Sequence, residues 1–260
     1  MSPPDLNQEA VLRGLSTHVM GKRVIHLPVT TSTMDIVHQE ALAGAPEGTL
    51  VVADQQTAGR GRFQRSWVST PGTSLHMTLL LRPRENELRR MNMAVSLAVV
   101  RAIRAVTGLR ATIKWPNDIR LRGRKVSGIL IESRPDHNAV PYTAVGVGIN
   151  VNFDPSPFPD IVDIATSLMV EVGGPVSRLE VLQSFLRRLD DLYLALRRGE
   201  PIHGEWSRTL DTLGQHVQVR WGDRAEEGLA VGVDADGDLL LDRADGTRIS
   251  LPAGEVTFQR

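Results

Sequence analysis

Residues 56–67 read Gln-Thr-Ala-Gly-Arg-Gly-Arg-Phe-Gln-Arg-Ser-Trp, setting three arginines around two glycines in one short stretch. Gly59 and Gly61 let the backbone bend and approach a ligand closely. Arg60, Arg62 and Arg65 add permanent cations with planar, forked donors. Trp67 closes the stretch with a flat apolar surface. Such a loop suits closure over an anion, either a phosphate or a carboxylate. A surface turn or a nucleic-acid contact would use the same residue types.

Three further segments carry chemistry. Lys114-Trp115-Pro116-Asn117-Asp118 puts a cation, an aromatic ring, a rigid turn and two oxygen-bearing side chains in sequence. Asn and Asp commonly serve only to form turns. In a functional role, Asp118, with Asn117, would meet a hydrated magnesium ion or a ribose, since magnesium commonly binds one carboxylate plus substrate phosphates. Lys125-Val126-Ser127-Gly128-Ile129-Leu130 sets a lysine at a hairpin exit and a glycine at a point of close approach. Gly146-Val147-Gly148-Ile149-Asn150 ends a strand on glycines, which mark either a bulge or tight packing. Asn150 could read an adenine edge by paired hydrogen bonds. Only three of the 30 basic residues are lysines, and Lys114 and Lys125 stand in this same central region. Lysine is a compact point charge on a flexible stem, so a chain that otherwise uses arginine keeps it where that shape matters.

These groups need a scaffold, and the chain is long enough to supply one. Its 260 residues, 41% hydrophobic, suit one large domain with a small appendage. The formal net charge of zero provides no global field for nucleic acid or an anionic membrane. No apolar run reaches bilayer length and the N-terminal residues lack a signal-peptide core. Cysteine is absent, which excludes disulfides, thiolate zinc sites and a cysteine nucleophile, and fits a cytoplasmic protein. The seven histidines show no paired ligand spacing, which argues against a metal hydrolase.

Periodicity predicts helices over 6–19, 33–43 and 87–106, with Ser32 capping the second. Strands are expected at 24–27, 49–53, 75–81, 112–115, 119–121, 126–132 and 142–150, with a hairpin turn at Arg122-Gly123-Arg124. Ser177 to Glu180 is a capping box opening a helix whose inner face is Leu182, Phe185, Leu186, Leu189, Tyr193 and Leu196, and Gly199 ends it. Beyond Gly214 short alternating strands separated by Asp-Gly turns suggest a small β-barrel of about fifty residues. The expected organisation is an α/β catalytic unit over 1–213 followed by a barrel over 214–260.

The four motif segments, in this order, closely resemble the biotin protein ligases. That family carries a Gly-Arg-Gly-Arg loop ending in Trp, a Lys-Trp-Pro-Asn-Asp turn, a Lys-x-x-Gly-Ile-Leu strand and a Gly-x-Gly-Ile-Asn strand end. The resemblance covers about Ser32 to Asn152 and continues more weakly through the barrel. It implies a mixed sheet with flanking helices, as in class II aminoacyl-tRNA synthetases, then an SH3-like barrel. It implies amide-bond formation in two steps: biotin and ATP, with Mg2+, form biotinyl-5′-AMP, and a lysine of a biotin carboxyl carrier domain, of acetyl-CoA carboxylase or another biotin-dependent enzyme, then accepts the biotinyl group.

By the same resemblance, Arg62 and Lys125 hold the biotin carboxylate and the phosphoryl group, Lys114 adds charge at the phosphates, and Asp118 manages magnesium or ribose. Ser32, Thr33, Gln56 and the backbone of Arg60, flanked by Gly59 and Gly61, serve the ureido ring, with Gly128 beneath it. Arg65, Trp67, Asn117 and Asn150 fall on the adenylate side, where Trp67 suits either the ligand or the core. The family often has Asn after the Ser-Thr pair; here Met34 stands there, so only its backbone can contact ligand. The 31 residues before Ser32 are too few for a DNA-binding domain plus the first strand, so a monofunctional enzyme, with homodimerisation open, is expected. The rival readings are a lipoate-protein ligase and an arginine-rich nucleic-acid-binding protein.

Overall fold

The computed structural model describes residues 6–134 and 141–259. Strands β1 (Arg23–Thr30), β2 (Thr49–Gln56), β3 (Leu75–Leu81), β4 (Thr112–Lys114), β5 (Asp118–Leu121), β6 (Arg124–Arg134) and β7 (Tyr142–Ile149) form one mixed sheet, ordered β1-β2-β3-β7-β6-β5-β4. Only β1 and β2 run parallel, and α2 (Thr33–Leu42) makes the crossover that such a pair requires. Ser32 caps α2 by accepting from the Met34 amide. The β5–β6 hairpin turns on Arg122 and Gly123, at φ 48° and 82°, the doubly left-handed geometry of a tight hairpin.

The sheet has two unlike faces. One packs on α4 (Met91–Thr107) and α6 (Arg178–Arg197) in a large core containing Met77, Leu79, Val147, Phe185 and Leu189. The expected inner face of α6 is buried throughout, and Gly199 at φ 75° follows its end. The other face is covered over part of its area by α2, through Met34, Val37 and Ala41 against Val51, Leu80 and Ala144. Helix α2 leaves the ends of β6 and β7 open on this side, and there the arginine loop lies.

Two expected helices differ. The helix expected over 6–19 is only α1 (Gln8–Leu12); Gly14 turns left-handed at φ 71°. The amides of His18, Val19 and Met20 instead donate to the Asp190 carboxylate of α6, a tertiary cap that periodicity does not register. The helix expected over 87–106 is α3 (Glu85–Leu88) and then α4, ended by Gly108 at φ 74°. Short helices α5 (Leu168–Val172) and α7 (His203–Thr209) were not anticipated.

Strands β8 (His216–Trp221), β9 (Arg224–Val233), β10 (Leu239–Asp242), β11 (Arg248–Leu251) and β12 (Glu255–Phe258) form a second, antiparallel sheet ordered β11-β10-β9-β8-β12. Trp115 joins the two sheets: it is buried, and its indole N–H donates to the Gly237 carbonyl at 3.0 Å. Among the described residues no helix is long and apolar enough to cross a membrane.

Candidate active site

One row of residues crosses the open face of the sheet and organises the site. Lys114 pairs with Asp118, Asp118 with Gly128, Gly128 with Gly148, and Gly148 with His76. Residues opposite one another in a sheet share a face. The two glycines therefore remove the side chains between Asp118 and His76, and leave a trough three strand spacings wide, roughly 14 Å. The indole of Trp67 lies in this trough. A Cβ on Gly148 would meet its Cε2 and Cζ2 at 2.7 Å, and a Cβ on Gly128 its Cζ3 at 2.9 Å. A cavity of about 590 Å³ opens above, and every expected site residue except Gly59 lines it. Gly59 is buried, its carbonyl accepting from Trp67 N–H at 2.9 Å. A side chain there would meet the Trp67 carbonyl, so the close return of the loop at this point requires glycine.

The cations are sorted by their partners. Arg60 turns to Asp35 at 2.6 Å and Arg65 to Glu255 at 2.5 Å, so two of the three loop arginines pin the loop to α2 and to β12. Arg62 points inward and donates to Asn117 Oδ1 at 2.8 Å. Burial lowers its pKa from the usual guanidinium value, and the charges of Asp118 and Glu255 work against that. Lys125 pairs with Asp118 at 2.6 Å, 5.5 Å from the Trp67 ring centroid. Lys114 has no carboxylate within ion-pair distance among the described residues. Burial lowers its pKa; Asp118 raises it, and the like charges of Arg120 and Lys125 press it lower again. Three cations thus crowd one wall with too few anions to match, a potential that favours an anionic ligand.

The Lys-Trp-Pro-Asn-Asp turn is held from several sides. Trp115 N–H donates to Thr212 Oγ1, the Pro116 carbonyl accepts from Asn92 of α4, and the Asn117 amide donates to Ile129 O. Asn117 therefore spends both ends of its side chain on protein, orienting Arg62 on one end. Asn150 is buried, with its amide on the Thr166 carbonyl at 3.0 Å. At the opposite end, Gln56 Oε1 accepts from Thr33 N and Oγ1, and Thr33 Oγ1 lies 2.8 Å from Thr78 Oγ1. This end is neutral and hydrogen-bonding; the Lys114 end is cationic. The Met34 side chain packs on Gly146 and supports the α2 edge of the cavity.

Several lining residues carry no sequence signal. Glu255 and Phe258 reach the cavity from β12, with Lys114 Nζ 5.5 Å and the Arg120 guanidinium 5.2 Å from the Phe258 ring centroid. Arg120 was legible only as one of many arginines, and His76 sits inside an otherwise apolar strand. The alternation of β3 could have placed His76 on the face opposite Met77, but not over a glycine trough.

A mixed sheet with one open, cation-lined face and a glycine-hinged loop over it suits the binding of anionic reactants. The sequence pattern of the biotin/lipoate A/B protein ligase family matches residues 26–150, and that of the biotin protein ligase C terminal domain matches 212–258. The bifunctional ligase/repressor BirA of Bacillus subtilis is 38% identical across 95% of this chain and 77% of its own length. The biotin–[acetyl-CoA-carboxylase] ligase of Paracoccus denitrificans is 35% identical across 86% of this chain and 97% of its own. The biotin protein ligase from Aquifex aeolicus in complex with biotin and ATP superposes with a TM-score of 0.80 at 31% identity, over 92% of this chain and 99% of that one. The chain belongs to the biotin protein ligase family and is a ligase.

Proposed function

We propose that this chain activates biotin with ATP and transfers the biotinyl group to a lysine of a biotin carboxyl carrier domain. The observation that carries the reading is the polarity of the trough, with a neutral hydrogen-bonding end at Thr33 and Gln56 and a crowded cationic end at Lys114, Arg62 and Lys125. A molecule with a neutral polar ring and a distant carboxylate suits both ends, and the names of the relatives agree.

In the first step a biotin carboxylate oxygen bonds to the α-phosphorus of ATP, and the bond from that phosphorus to the bridging oxygen breaks, releasing pyrophosphate. The reactants repel each other, and fixed cations in a half-buried pocket offset that repulsion without reorganising. Arg62, held by Asn117, and Lys125 face the carboxylate and the α-phosphoryl oxygens, and Lys114 with Arg120 takes the leaving phosphates. As the anions enter, Lys125 exchanges Asp118 for phosphoryl oxygen. Asp118 is then the carboxylate suited to a magnesium ion carried by the nucleotide, which would neutralise phosphate charge. Magnesium commonly binds through one carboxylate together with substrate phosphates. In the second step the carrier lysine nitrogen attacks the acyl carbon, AMP leaves, and the amine gives up a proton.

Residues 1–213 would supply the reacting groups and 214–260, through Glu255 and Phe258, would close the nucleotide end. The Trp67 loop would move aside for biotin and close again over the mixed anhydride, excluding water. Incubation with biotin, MgATP and a carrier domain, read by mass spectrometry, tests the reading. A biotinyl increment on one lysine is expected; an unmodified carrier, or lipoyl transfer in its place, would reject it.

A further inference from the structure

His76 stands at the neutral end of the trough, and its environment sets which nitrogen carries the proton. It is 1% exposed, and it lines the cavity on the same ladder row as Gly148. Ser69 Oγ lies 2.8 Å from Nε2 and also accepts from Gln56 N–H at 2.9 Å. The assignment that pairs the most groups has the Ser69 hydroxyl donating to Nε2, which puts the imidazole N–H on Nδ1. The reverse arrangement would strand both the hydroxyl proton and the Nδ1 lone pair. Nδ1 itself is buried without a protein partner. Burial, with the charge of Arg178 acting in the same direction and Asp54 against it, lowers the His76 pKa to about 4, so the ring is neutral at ordinary pH. A buried donor left unpaired in the free protein is costly and calls for a partner that the protein itself does not supply.

We propose that His76 is a specificity-determining residue, its Nδ1–H donating to the carbonyl oxygen of the cyclic urea that enters beside Thr33 and Gln56. This rests on the biotin reading. Across the trough Arg62 and Lys125 take the carboxylate, so the opposite end receives the ureido ring. That ring offers one carbonyl acceptor, and the orphaned donor of His76 matches it. Ser69 serves as a positioning residue, holding the tautomer through Nε2 while its own orientation is held by the Gln56 amide.

The test is calorimetric titration of the parent, His76→Ala and His76→Asn with three ligands. These are biotin, its desthio analogue (ureido ring kept, sulfur lost), and its imino analogue, in which a protonated guanidinium replaces the ureido carbonyl. Removing the donor should weaken biotin and desthiobiotin by the same factor, roughly 10- to 100-fold. The imino analogue, which lacks the acceptor, should lose no affinity. The loss should fall on the KM for biotin more than on kcat, because the contact holds the ring and does not touch the reacting atoms. His76→Asn, whose amide nitrogen stands near the Nδ1 position, should recover part of the loss and keeps the proposal testable if the alanine variant folds poorly. Three results would overturn it: an unchanged biotin affinity, a loss for biotin but not desthiobiotin (a sulfur contact), or an equal loss for all three ligands (a structural role). Failure of the parent protein to bind biotin at all would instead sink the underlying functional reading.

Discussion

Gly148→Ala tests the trough most directly. The new Cβ would lie 2.7 Å from two atoms of the Trp67 indole, 0.7 Å inside the 3.4 Å at which ordinary contact begins (3.4 − 2.7). The methyl cannot retreat, because β7 is paired on both sides, to β3 and to β6. The indole must withdraw instead, and with it the loop that carries Arg62. Displacement of a substrate-positioning group by about 1 Å costs roughly 10²-fold. The expected result is therefore a loss of about 10²-fold in kcat/KM for biotin, measured by pyrophosphate release. Because the loop yields rather than the core, the melting temperature should shift by under about 4 °C, equivalent to about 1 kcal/mol in a chain of this size. Gly174→Ala is the control, since a Cβ there meets nothing within 4 Å. A double-mutant cycle isolates the cause: in a Trp67→Ala background the three atoms nearest the added methyl are gone, and it should cost far less. An equal loss in both backgrounds would refute the reasoning, because the clash with Trp67 could not then be the cause.

Lys125→Ala should slow pyrophosphate release by roughly 10²–10³-fold, the scale for losing one preorganised transition-state donor; a near-parental rate would exclude Lys125 from the first step. Lys114→Met should raise the melting temperature at neutral pH while slowing the same step. Burial lowers the pKa of Lys114, so its charge opposes folding at neutral pH, and stability due to it rises with pH through the window between the native value and the ordinary 10.5; a lower melting temperature would contradict this. His76, at about 4 in the native state against 6.5 ordinarily, leaves the unfolded chain binding the extra proton as pH falls. Stability should thus decline from about pH 6.5 to about pH 4, and His76→Asn should flatten that limb; parallel curves for parent and variant would count against a buried neutral imidazole.

What could be read before the structure depended on how local its cause was. The α6 inner face, the Ser32 and Ser177 caps and the doubly left-handed hairpin at Arg122-Gly123 follow from spacing and backbone preference within a few residues. The first helix failed because its expected continuation is bound by Asp190, far along the chain. Among the motif residues, which cations exist was legible, but their aim was not. Arg60 and Arg65 face Asp35 and Glu255, choices made by segments that lie elsewhere in the sequence.

The amino-acid order alone determined the chemistry available here: a glycine-hinged arginine loop, a lysine-bearing turn, a second lysine and a glycine-rich strand end, in a family-like succession. Only tertiary structure decided how they act together. Strand register set Gly128 and Gly148 side by side between Asp118 and His76, and folding laid Trp67 over the gap. It also brought Glu255 and Phe258 from the C-terminal sheet to the nucleotide end. The physical reason is that side-chain type and helical or strand period are encoded over a few residues. Pairing across strands and the partners of a buried charge are settled only when distant segments pack.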